Sequence, residues 1–480
     1  MSNIVQKDIE KIYSLSPLQE GMLYLKENAP DSTQYVIQNV LKISGKHITP
    51  EVISQAFDLL ACKHDILRTV IFYKGQKKPA QVVLKNKTID KKIIDLSEYE
   101  PSAGKKELQR YVDEDLRRGF DFSRDSYMRV TIIKTWEEQD KLKGKSESYL
   151  RLIWTFHHII LDGWSINILK KELAEFLNRL LKGESVEDVK STIANEKKHP
   201  EYQDYISWVT RQPESDGIIF WTNLLADYEA PIHIDSMADP EEDYSQAVAE
   251  SYTNLGKELS DKIRGFSDRL TCTVSDVLET AWGVTIAKML GRKDAVFGKV
   301  VSGRNAPVPG IAAMAGLFIN TIPTRIKIDG GESIRECILR TQQKAISSSD
   351  YDYMTLAKIQ SCSTQKSYLF DTIFVYENYG LGDEAPEDTG LKIEVVSSRE
   401  ETNYPLSISI TDEESFNVRF IYQKKLYVKQ DLELIGEYYK KCLEKMVDDD
   451  NQPAAEINLI TEKEDALVRT VFNGVVSEVA

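Results

Sequence analysis

Hydrophobic and polar residues follow two periods along the chain, and both periods occur in each half of the sequence. Apolar residues at every second position, or in short continuous runs, predict strands, whereas a spacing of three and four predicts helices. The predicted strands are 35–43, 128–136, 149–156, 294–301, 316–328, 368–379 and a hairpin over 406–423. The stretch 63–73 is predicted to run out of the preceding helix into a β-rich segment. The predicted helices are one that begins at Pro17, 50–63, 102–119, 165–180, 216–227, 257–269, 274–290 and 429–447, with a short helix at most in 4–13. Because each half mixes both elements, we expect two α/β lobes of similar size.

The stretch 149–169, YLRLIWTFHHIILDGWSINIL, carries the densest chemistry in the chain. An apolar run ends in two adjacent histidines, His157 and His158, and the pair Asp162-Gly163 follows just before a helical pattern. These signals predict a strand, a loop and an amphipathic helix in that order. Two imidazoles and a carboxylate packed into one turn are poor choices for mere packing, so the sequence predicts an active site at this junction.

Bulk properties exclude several classes of protein. The net charge of −15 argues against non-specific nucleic-acid binding, which needs a basic surface. No apolar run approaches the roughly 20 residues that span a bilayer, and the N-terminal residues lack the apolar core of a signal peptide. Five scattered cysteines without a CxxC pair suit a reducing cytoplasm, with neither a disulfide framework nor a zinc site. We therefore expect a cytoplasmic protein with no membrane and no nucleic-acid partner.

HHIILDGWS, 157–165, matches the pattern HHxxxDG, and the chain resembles the condensation domains of non-ribosomal peptide synthetases, in the chloramphenicol-acetyltransferase-like superfamily. SPLQEGMLY is similar to the family's first core motif, and KHDILRTVI to its second. The later motifs resemble YQDYISW (202–208), GKVVSGRNAPVPGIAAMAGLFINTIPTR (298–325), YDYMTLAKIQ (351–360) and LFDTIFVYENY (369–379). The motifs stand in the family's order, and the correspondence runs from about residue 10 to 465.

The same motifs separate this chain from close relatives. Cyclisation domains replace both histidines with aspartates, and epimerisation domains carry a glutamate motif that is missing from this sequence. No carrier-protein or adenylation-domain motif occurs. The first and fifth motifs look closer to the subtype that takes a D-configured donor and an L-configured acceptor.

The resemblance implies that an acceptor amine attacks a donor thioester, making an amide and releasing a thiol. An α-amine has a pKa near 8, so a sizeable fraction is neutral at pH 7 and strong base catalysis is not obligatory. A neutral imidazole could take the proton or steady the developing ammonium. Adjacent residues of a strand point to opposite faces, so only one of the two histidines can face the substrate. The family implies that this is His158 and that His157 points into the fold.

Asp162 has two interpretations. It could polarise His158 as in a catalytic triad, or it could hold the loop through an ion pair. The family's aspartate pairs with an arginine, which favours the ion pair. Arg304, in the turn after the strand 294–301, is the first candidate partner and Arg68 is the second.

Four further residues lie where substrate could approach. The N–H of Gly163 could help to stabilise the tetrahedral oxyanion, or the glycine could serve the turn alone. Trp164 and Ser165 are expected to pack and cap the following helix, although both stand close to the site. Asn320 stands where the family carries an asparagine near the substrate tunnel, and a purely structural hydrogen bond is the alternative.

The family implies an α/β fold, an α+β sandwich, of two lobes arranged as a V with a tunnel between them. We expect the lobes to cover 14–180 and 181–465. Residues 1–13 resemble a docking segment for the C-terminal tail of an upstream synthetase, with a plain leader as the alternative. Residues 466–480 look like the start of a linker towards an adenylation domain.

No intrinsic cofactor or metal is expected. The substrates are expected as phosphopantetheine thioesters on donor and acceptor peptidyl carrier domains, next to an adenylation domain. Two alternatives remain open: a stand-alone acyltransferase that uses CoA thioesters, and a scaffold domain without catalysis.

Overall fold

The computed structural model describes residues 6–122, 125–136, 138–139, 146–147, 149–195, 201–228, 231–234, 248–366, 368–377 and 390–472. The strands in chain order are β1 (Ile9–Ser14), β2 (Val36–Ser44), β3 (Thr69–Phe72), β4 (Ala80–Leu84), β5 (Asp90–Asp95), β6 (Met128–Lys134), β7 (Glu138–Gln139), β8 (Ser146–Glu147), β9 (Leu150–His157), β10 (Val248–Asn254), β11 (Asp294–Val301), β12 (Asn320–Lys327), β13 (Thr372–Glu377), β14 (Lys392–Arg399), β15 (Leu406–Asp412) and β16 (Phe416–Gln423). The helices are α1 (Pro17–Asn28), α2 (Pro50–Lys63), α3 (Pro101–Arg118), α4 (Gly163–Leu181), α5 (Val186–Asn195), α6 (Tyr202–Val209), α7 (Ser215–Leu225), α8 (Lys257–Leu270), α9 (Val274–Met289), α10 (Ile334–Ser349), α11 (Leu356–Ser361), α12 (Lys429–Asp448) and α13 (Glu462–Leu467).

The chain divides into two compact units that are interleaved in sequence. The first unit comprises Met1–Gln212, Ser302–Ile319 and Leu381–Asn403. The second comprises Pro213–Val301, Asn320–Gly380 and Tyr404–Ala480. The division differs from the lobes predicted at 14–180 and 181–465, because three segments that follow residue 180 fold with the first unit. The order of elements along the sequence does not indicate which later segments fold with the first unit.

An open five-stranded sheet of order β14-β2-β9-β6-β5 organises the first unit, beside a three-stranded sheet β1-β4-β3. Strand β9 is central and buried along nearly its whole length, which explains its continuous apolar sequence. The buried faces of α2 and α4 pack against each other, and Phe57 of α2 meets Trp154 of β9 edge to face. The apolar core therefore fixes the strand that ends at the two histidines.

The second unit is built on a six-stranded open sheet of order β10-β16-β15-β13-β11-β12. Helix α9 is buried on almost every side, with Trp282 at 0% exposure and edge to face with Tyr439 of α12. Gly283 lets α9 approach β12, because a Cβ there would lie 2.3 Å from Ile326. The predicted buried helix is confirmed, and Gly291 follows it with a positive φ of 63°.

Several local predictions need correction. Residues 9–14 form strand β1 paired with β4, where at most a short helix was predicted. Residues 9–13 of the predicted docking segment are therefore part of a sheet, and residues 1–5 lie outside the described residues. The 63–73 segment contains a 3-10 helix, Asp65–Arg68, before strand β3. The sequence patterns also missed α10 and β14.

The predicted linker at the C-terminal end is described only in part. Residues 462–467 of the tail form α13, a π-helical turn follows over Val468–Phe472, and the rest of the predicted linker, 473–480, lies outside the described residues. The acidic loop 380–389 lies outside them as well. No described helix is long and apolar enough to cross a membrane.

Candidate active site

The two histidines lie where the central strand of the first unit ends. The N–H of His157 donates to the carbonyl of Tyr127 at 2.8 Å, and the N–H of His158 donates to the carbonyl of Tyr35 at 2.8 Å. These acceptors belong to the chain on either side of β9, since β6 and β2 flank it. The two N–H groups therefore point to opposite sides of β9, as expected for successive residues of a strand.

His157 is enclosed by the first unit. Its ring lies edge to face with Phe120 and Phe122, and its Nδ1 accepts the N–H of Ile159 at 3.0 Å. Burial, followed by the nearby His158 and Lys26, lowers the pKa of His157 well below the usual value. The imidazole is therefore neutral and holds the turn after the strand, as expected for a structural residue.

His158 has a more polar setting. Its side chain is 9% exposed, and its Nε2 lies 3.8 Å from Oε1 of Glu400. Its Nδ1 is buried and makes no hydrogen bond within the described part of the chain. Tyr35 lies edge to face with the ring, with centroids 6.4 Å apart. Nε2 of His158 therefore lies beside a carboxylate, whereas Nδ1 is buried in the first unit.

Asp162 caps helix α4 and is fully buried. One carboxylate oxygen accepts the N–H of Ser165 at 2.8 Å, and the other accepts the N–H of Phe318 at 3.0 Å. The first oxygen also lies 3.2 Å from the guanidinium of Arg304. None of the described hydrogen bonds of this carboxylate goes to His158, so the geometry supports the ion pair over the triad.

Arg304 closes the other side of this cluster. Its guanidinium donates to the carbonyls of Ile311 and Met314 at 2.6 and 3.1 Å. It also stacks 4.1 Å from the ring centre of Phe318. Gly303 makes the turn possible: it has a φ of 64°, and a Cβ there would lie 2.0 Å from the carbonyl oxygen of Phe318.

Arg68, the second candidate partner, lies elsewhere in the first unit. It pairs with Asp65 and Glu10 and donates to the carbonyls of Ala61 and Leu84. The proposal of Arg68 as a partner of Asp162 is therefore wrong. The sequence around Arg68 did not indicate its partners, because Asp65 lies in a 3-10 helix and Glu10 in strand β1, and neither element was predicted.

The residues after Asp162 take different positions from those predicted. Helix α4 begins at Gly163, two residues earlier than expected, and the cap is Asp162. Ser165 is fully buried, and its hydroxyl lies within 3.0 Å of Asp162, Arg304 and Gly316. Trp164 is 38% exposed and donates its indole N–H to the carbonyl of Ala312. These hydrogen bonds tie Ser165 to the cap of α4 and to the 302–319 segment, which agrees with the expected packing role.

Asn320 is held within the second unit. Its amide donates to the carbonyls of Asp352 and Met354, both at 2.7 Å, and its oxygen accepts the N–H of Thr321. The side chain is buried, and these bonds use both its donors. The contacts favour the structural alternative over contact with substrate.

Three residues at this site carried little or no signal in the sequence. Gln19 of α1 donates to the carbonyl of Ile159, which ties the first motif to the histidine loop. Its only signal was a polar residue inside an apolar helical pattern. Tyr35 and Glu400 carried no sequence signal, because 123 and 242 positions separate them from His158 along the chain. No described cluster of three or more His, Cys, Asp or Glu residues has the arrangement of a metal site.

Comparisons with known proteins identify the family of this chain. The sequence model of the Condensation domain family matches residues 9–468. Bacitracin synthase 1 of Bacillus licheniformis is 32% identical over 473 residues, which cover 97% of this chain and 9% of that protein. Surfactin synthase subunit 2 of Bacillus subtilis (strain 168) is 31% identical over 482 residues, which cover 98% and 13%. The chain thus spans only a small part of these curated relatives.

Solved structures show the same fold. A four-domain nonribosomal peptide synthetase bound to AMP and glycine matches with a TM-score of 0.75 at 15% identity, over 97% of this chain and 35% of that one. The first condensation domain of the calcium-dependent antibiotic synthetase, in complex with a substrate analogue, matches with a TM-score of 0.72 at 17% identity, over 94% and 100%. The match of the family model to nearly the whole sequence decides the family: the chain belongs to the condensation domains of non-ribosomal peptide synthetases.

Proposed function

We propose that this chain forms a peptide bond between two carrier-bound substrates. The amine of an acceptor aminoacyl-carrier attacks the thioester carbonyl of a donor aminoacyl- or peptidyl-carrier. A C–N bond forms, the C–S bond breaks, and the donor phosphopantetheine leaves as a thiol. The observation that carries the proposal is the intact HHxxxDG stretch, with His158 at the end of the central strand, in a chain matched by the family model over 9–468.

His158 is the proposed catalytic residue. A general base contributes typically about 10²–10⁴-fold to such a step. The amine is already partly neutral at pH 7, so the imidazole acts late, as the C–N bond forms and the nitrogen becomes more acidic. His157 contributes by holding the turn, since it is buried and bonded to Ile159.

Gly163 is the proposed oxyanion contact. It is the first residue of a 19-residue helix, whose N-terminus carries unpaired N–H groups and a partial positive charge. A tetrahedral intermediate places negative charge on the former carbonyl oxygen, and an N–H aimed at that oxygen lowers the barrier. Asp162 and Arg304 hold this helix end through the cap and the ion pair.

The partners follow from the family. We expect donor and acceptor peptidyl carrier domains, with an adjacent adenylation domain, and no cofactor of the chain's own. The motif similarity further favours a D-configured donor and an L-configured acceptor.

The test combines the chain with two separately loaded carrier domains, and mass spectrometry detects dipeptidyl-carrier. Donors are loaded with D- and L-phenylalanine, and acceptors with a panel of L-amino acids. We expect product that needs both carriers and that falls about 10²–10⁴-fold in His158→Ala. His47→Asn is the matched control, because His47 is exposed and its φ of 63° suits asparagine.

Each remaining outcome identifies an alternative. Turnover with free CoA esters and no carrier would identify a CoA-dependent acyltransferase. A folded chain that yields no product with any donor or acceptor would identify a scaffold domain. Equal rates with D- and L-donors would contradict the donor preference alone.

A further inference from the structure

Glu400 lies beside the nitrogen that faces the chemistry. Its Oε1 is 3.8 Å from Nε2 of His158, and its side chain is 28% exposed. It follows strand β14, which returns to the first unit from far along the chain and pairs with β2. This carboxylate is the acidic group nearest to Nε2 in the described structure, and the proposed reaction has so far given it no role.

The loop that carries Glu400 is fastened at the same residue as His158. The N–H of Tyr35 donates to the carbonyl of Glu401 at 2.7 Å, and the hydroxyl of Tyr35 contacts Asn403. Thr33 donates to the side chain of Glu401 at 3.0 Å. The carbonyl of Tyr35 accepts the N–H of His158. One residue therefore fixes the backbone on both sides of the gap between the imidazole and the carboxylate.

Tyr35 holds this position at a conformational cost. Its φ is 64°, in the left-handed region that side chains other than glycine, asparagine and aspartate rarely adopt. Such strain persists where the surroundings over-determine it and is concentrated at functional sites. The backbone hydrogen bonds of Tyr35 to Glu401 and to His158 help to hold its backbone in this conformation.

The spacing suits a bridging donor. At 3.8 Å the two atoms are too far apart for a good hydrogen bond to each other. A single nitrogen can nevertheless lie about 2.8 Å from both atoms, since two such bonds can span any gap up to about 5.6 Å. An ammonium group has three N–H donors and a positive charge that a carboxylate attracts.

We propose that Glu400 binds the α-ammonium of the acceptor and presents it to His158. This inference rests on the proposed function. At pH 7 most of an α-amine with a pKa near 8 is protonated, so the acceptor arrives mainly in the form that a carboxylate holds. The ammonium loses one proton to solvent, and the neutral amine attacks the donor carbonyl beside Nε2 of His158.

The step balances without a co-reactant. The new C–N bond forms as the amine adds, and the C–S bond breaks as the tetrahedral intermediate collapses. Nε2 of His158 takes the second proton of the nitrogen as the C–N bond forms, and the imidazolium gives that proton to the departing thiolate. The products are an amide, a thiol and one proton.

The experiment measures binding, so that it does not depend on turnover. The probe is an acceptor carrier that bears L-alanine through a stable amide in place of the thioester. A second carrier bears L-lactate in the same linkage and so replaces the ammonium with a hydroxyl. Fluorescence anisotropy gives the Kd of each probe for the wild-type chain, Glu400→Gln, Glu400→Asp and the control Glu394→Gln, which makes the same charge change at an exposed position of β14.

The wild type should prefer the alanyl probe to the lactyl probe by about 10- to 100-fold, the range for a hydrogen bond between charged groups. Glu400→Gln should lose this preference, Glu400→Asp should keep part of it, and Glu394→Gln should keep all of it. An unchanged preference in Glu400→Gln overturns the inference. So does a loss of affinity that is equal for both probes, because it would show a merely structural role.

Turnover separates this inference from the function on which it rests. If the wild-type chain makes dipeptide, Glu400→Gln should raise the KM for the acceptor carrier and leave the KM for the donor carrier within about twofold. A fall in kcat at constant acceptor KM would show that Glu400 only orients the imidazole. If the wild type makes no dipeptide, the proposed function fails, while the probe preference still decides the assignment of Glu400.

Discussion

Replacing Asp162 with asparagine should destabilise the first unit strongly, although the two side chains have nearly the same shape. The asparagine oxygen can still accept one of the N–H groups of Ser165 and Phe318, so the change removes the negative charge and one hydrogen-bond acceptor. What remains is the guanidinium of Arg304, with a side chain that is only 7% exposed, beside a partner that is 0% exposed. A buried cation without its counter-charge is the costly product of this substitution.

The magnitude follows from the contacts. Breaking a buried ion pair by removing one partner costs about 3–5 kcal/mol. Asp162→Ala also removes the helix cap, at about 1 kcal/mol, and leaves the buried N–H of Phe318 unsatisfied, at about 1–3 kcal/mol. The alanine total of about 5–9 kcal/mol is comparable to the whole stability of a typical protein, about 5–15 kcal/mol. We therefore expect Asp162→Asn to remain partly soluble and Asp162→Ala to lose soluble protein.

The assay is urea unfolding of Asp162→Asn, Arg304→Gln and the double variant, followed by far-UV circular dichroism. Both single variants should lose several kcal/mol, and the double variant should lose much less than their sum, because it leaves no lone charge behind. Asp188→Asn, at an exposed position near the start of α5, is the control and should change the free energy of unfolding by less than about 1 kcal/mol.

A single result would refute the ion-pair argument. If Asp162→Asn unfolds within about 1 kcal/mol of the wild type, and the two single changes are additive, the pair contributes no coupling. If that variant also keeps full activity, Asp162 is needed neither for the fold nor for the chemistry. If it keeps full stability but loses activity, the triad interpretation of Asp162 returns.

Three further predictions concern the surroundings of the site. Because the pKa of His157 is lowered in the folded chain, the imidazole takes up a proton below pH of about 6.5 only when the chain is unfolded. The free energy of unfolding should therefore fall by up to about 1.4 kcal/mol per pH unit as the pH drops. In His157→Asn, the free energy of unfolding measured in urea should depend less steeply on pH between about 5 and 6.5. Asn320→Ala should destabilise the second unit by about 1–3 kcal/mol, because the carbonyls of Asp352 and Met354 lose their donor. A normal melting temperature with reduced turnover would instead place Asn320 at the substrate. Tyr35→Val should melt at a lower temperature than Tyr35→Asn, since a positive φ costs a β-branched residue more, and equal melting temperatures would contradict the strain at this position.

Local patterns predict the framework of the active site well. The apolar run of β9 and the helical spacing after Asp162 are enough to predict a strand, a turn and a helix around the histidines. The period of two is likewise enough to predict that His157 and His158 point in opposite directions. These features depend on neighbours within a few residues, and sequence carries that information directly.

Contacts made by distant segments could not be predicted in the same way. Arg68 and Arg304 are both arginines next to strands, and nothing in their local sequence distinguishes them as partners of Asp162. The choice depends on Gly303 and Phe318, which bring the 302–319 segment against the cap of α4. Glu400 depends likewise on the pairing of β14 with β2, and an exposed strand with little apolar alternation gave no signal.

The site therefore combines three segments of the first unit that lie far apart in sequence, so a substitution in one segment can change one part of the site and spare another. The HHxxxDG stretch supplies the imidazole and the helix start, whereas Arg304 and Glu400 come from the segments Ser302–Ile319 and Leu381–Asn403. These two segments place charges at the two ends of the loop from His158 to Asp162. The guanidinium of Arg304 lies beside Asp162, and the carboxylate of Glu400 lies beside His158. Because Tyr35 is bonded to both His158 and Glu401, a shift of the second segment must move the carboxylate, the imidazole or both. Substitutions within 390–403 should therefore change the proposed contact of Glu400 with the acceptor amine. They should leave the Asp162–Arg304 pair intact, since that pair is held by hydrogen bonds to the start of α4 and to the 302–319 segment.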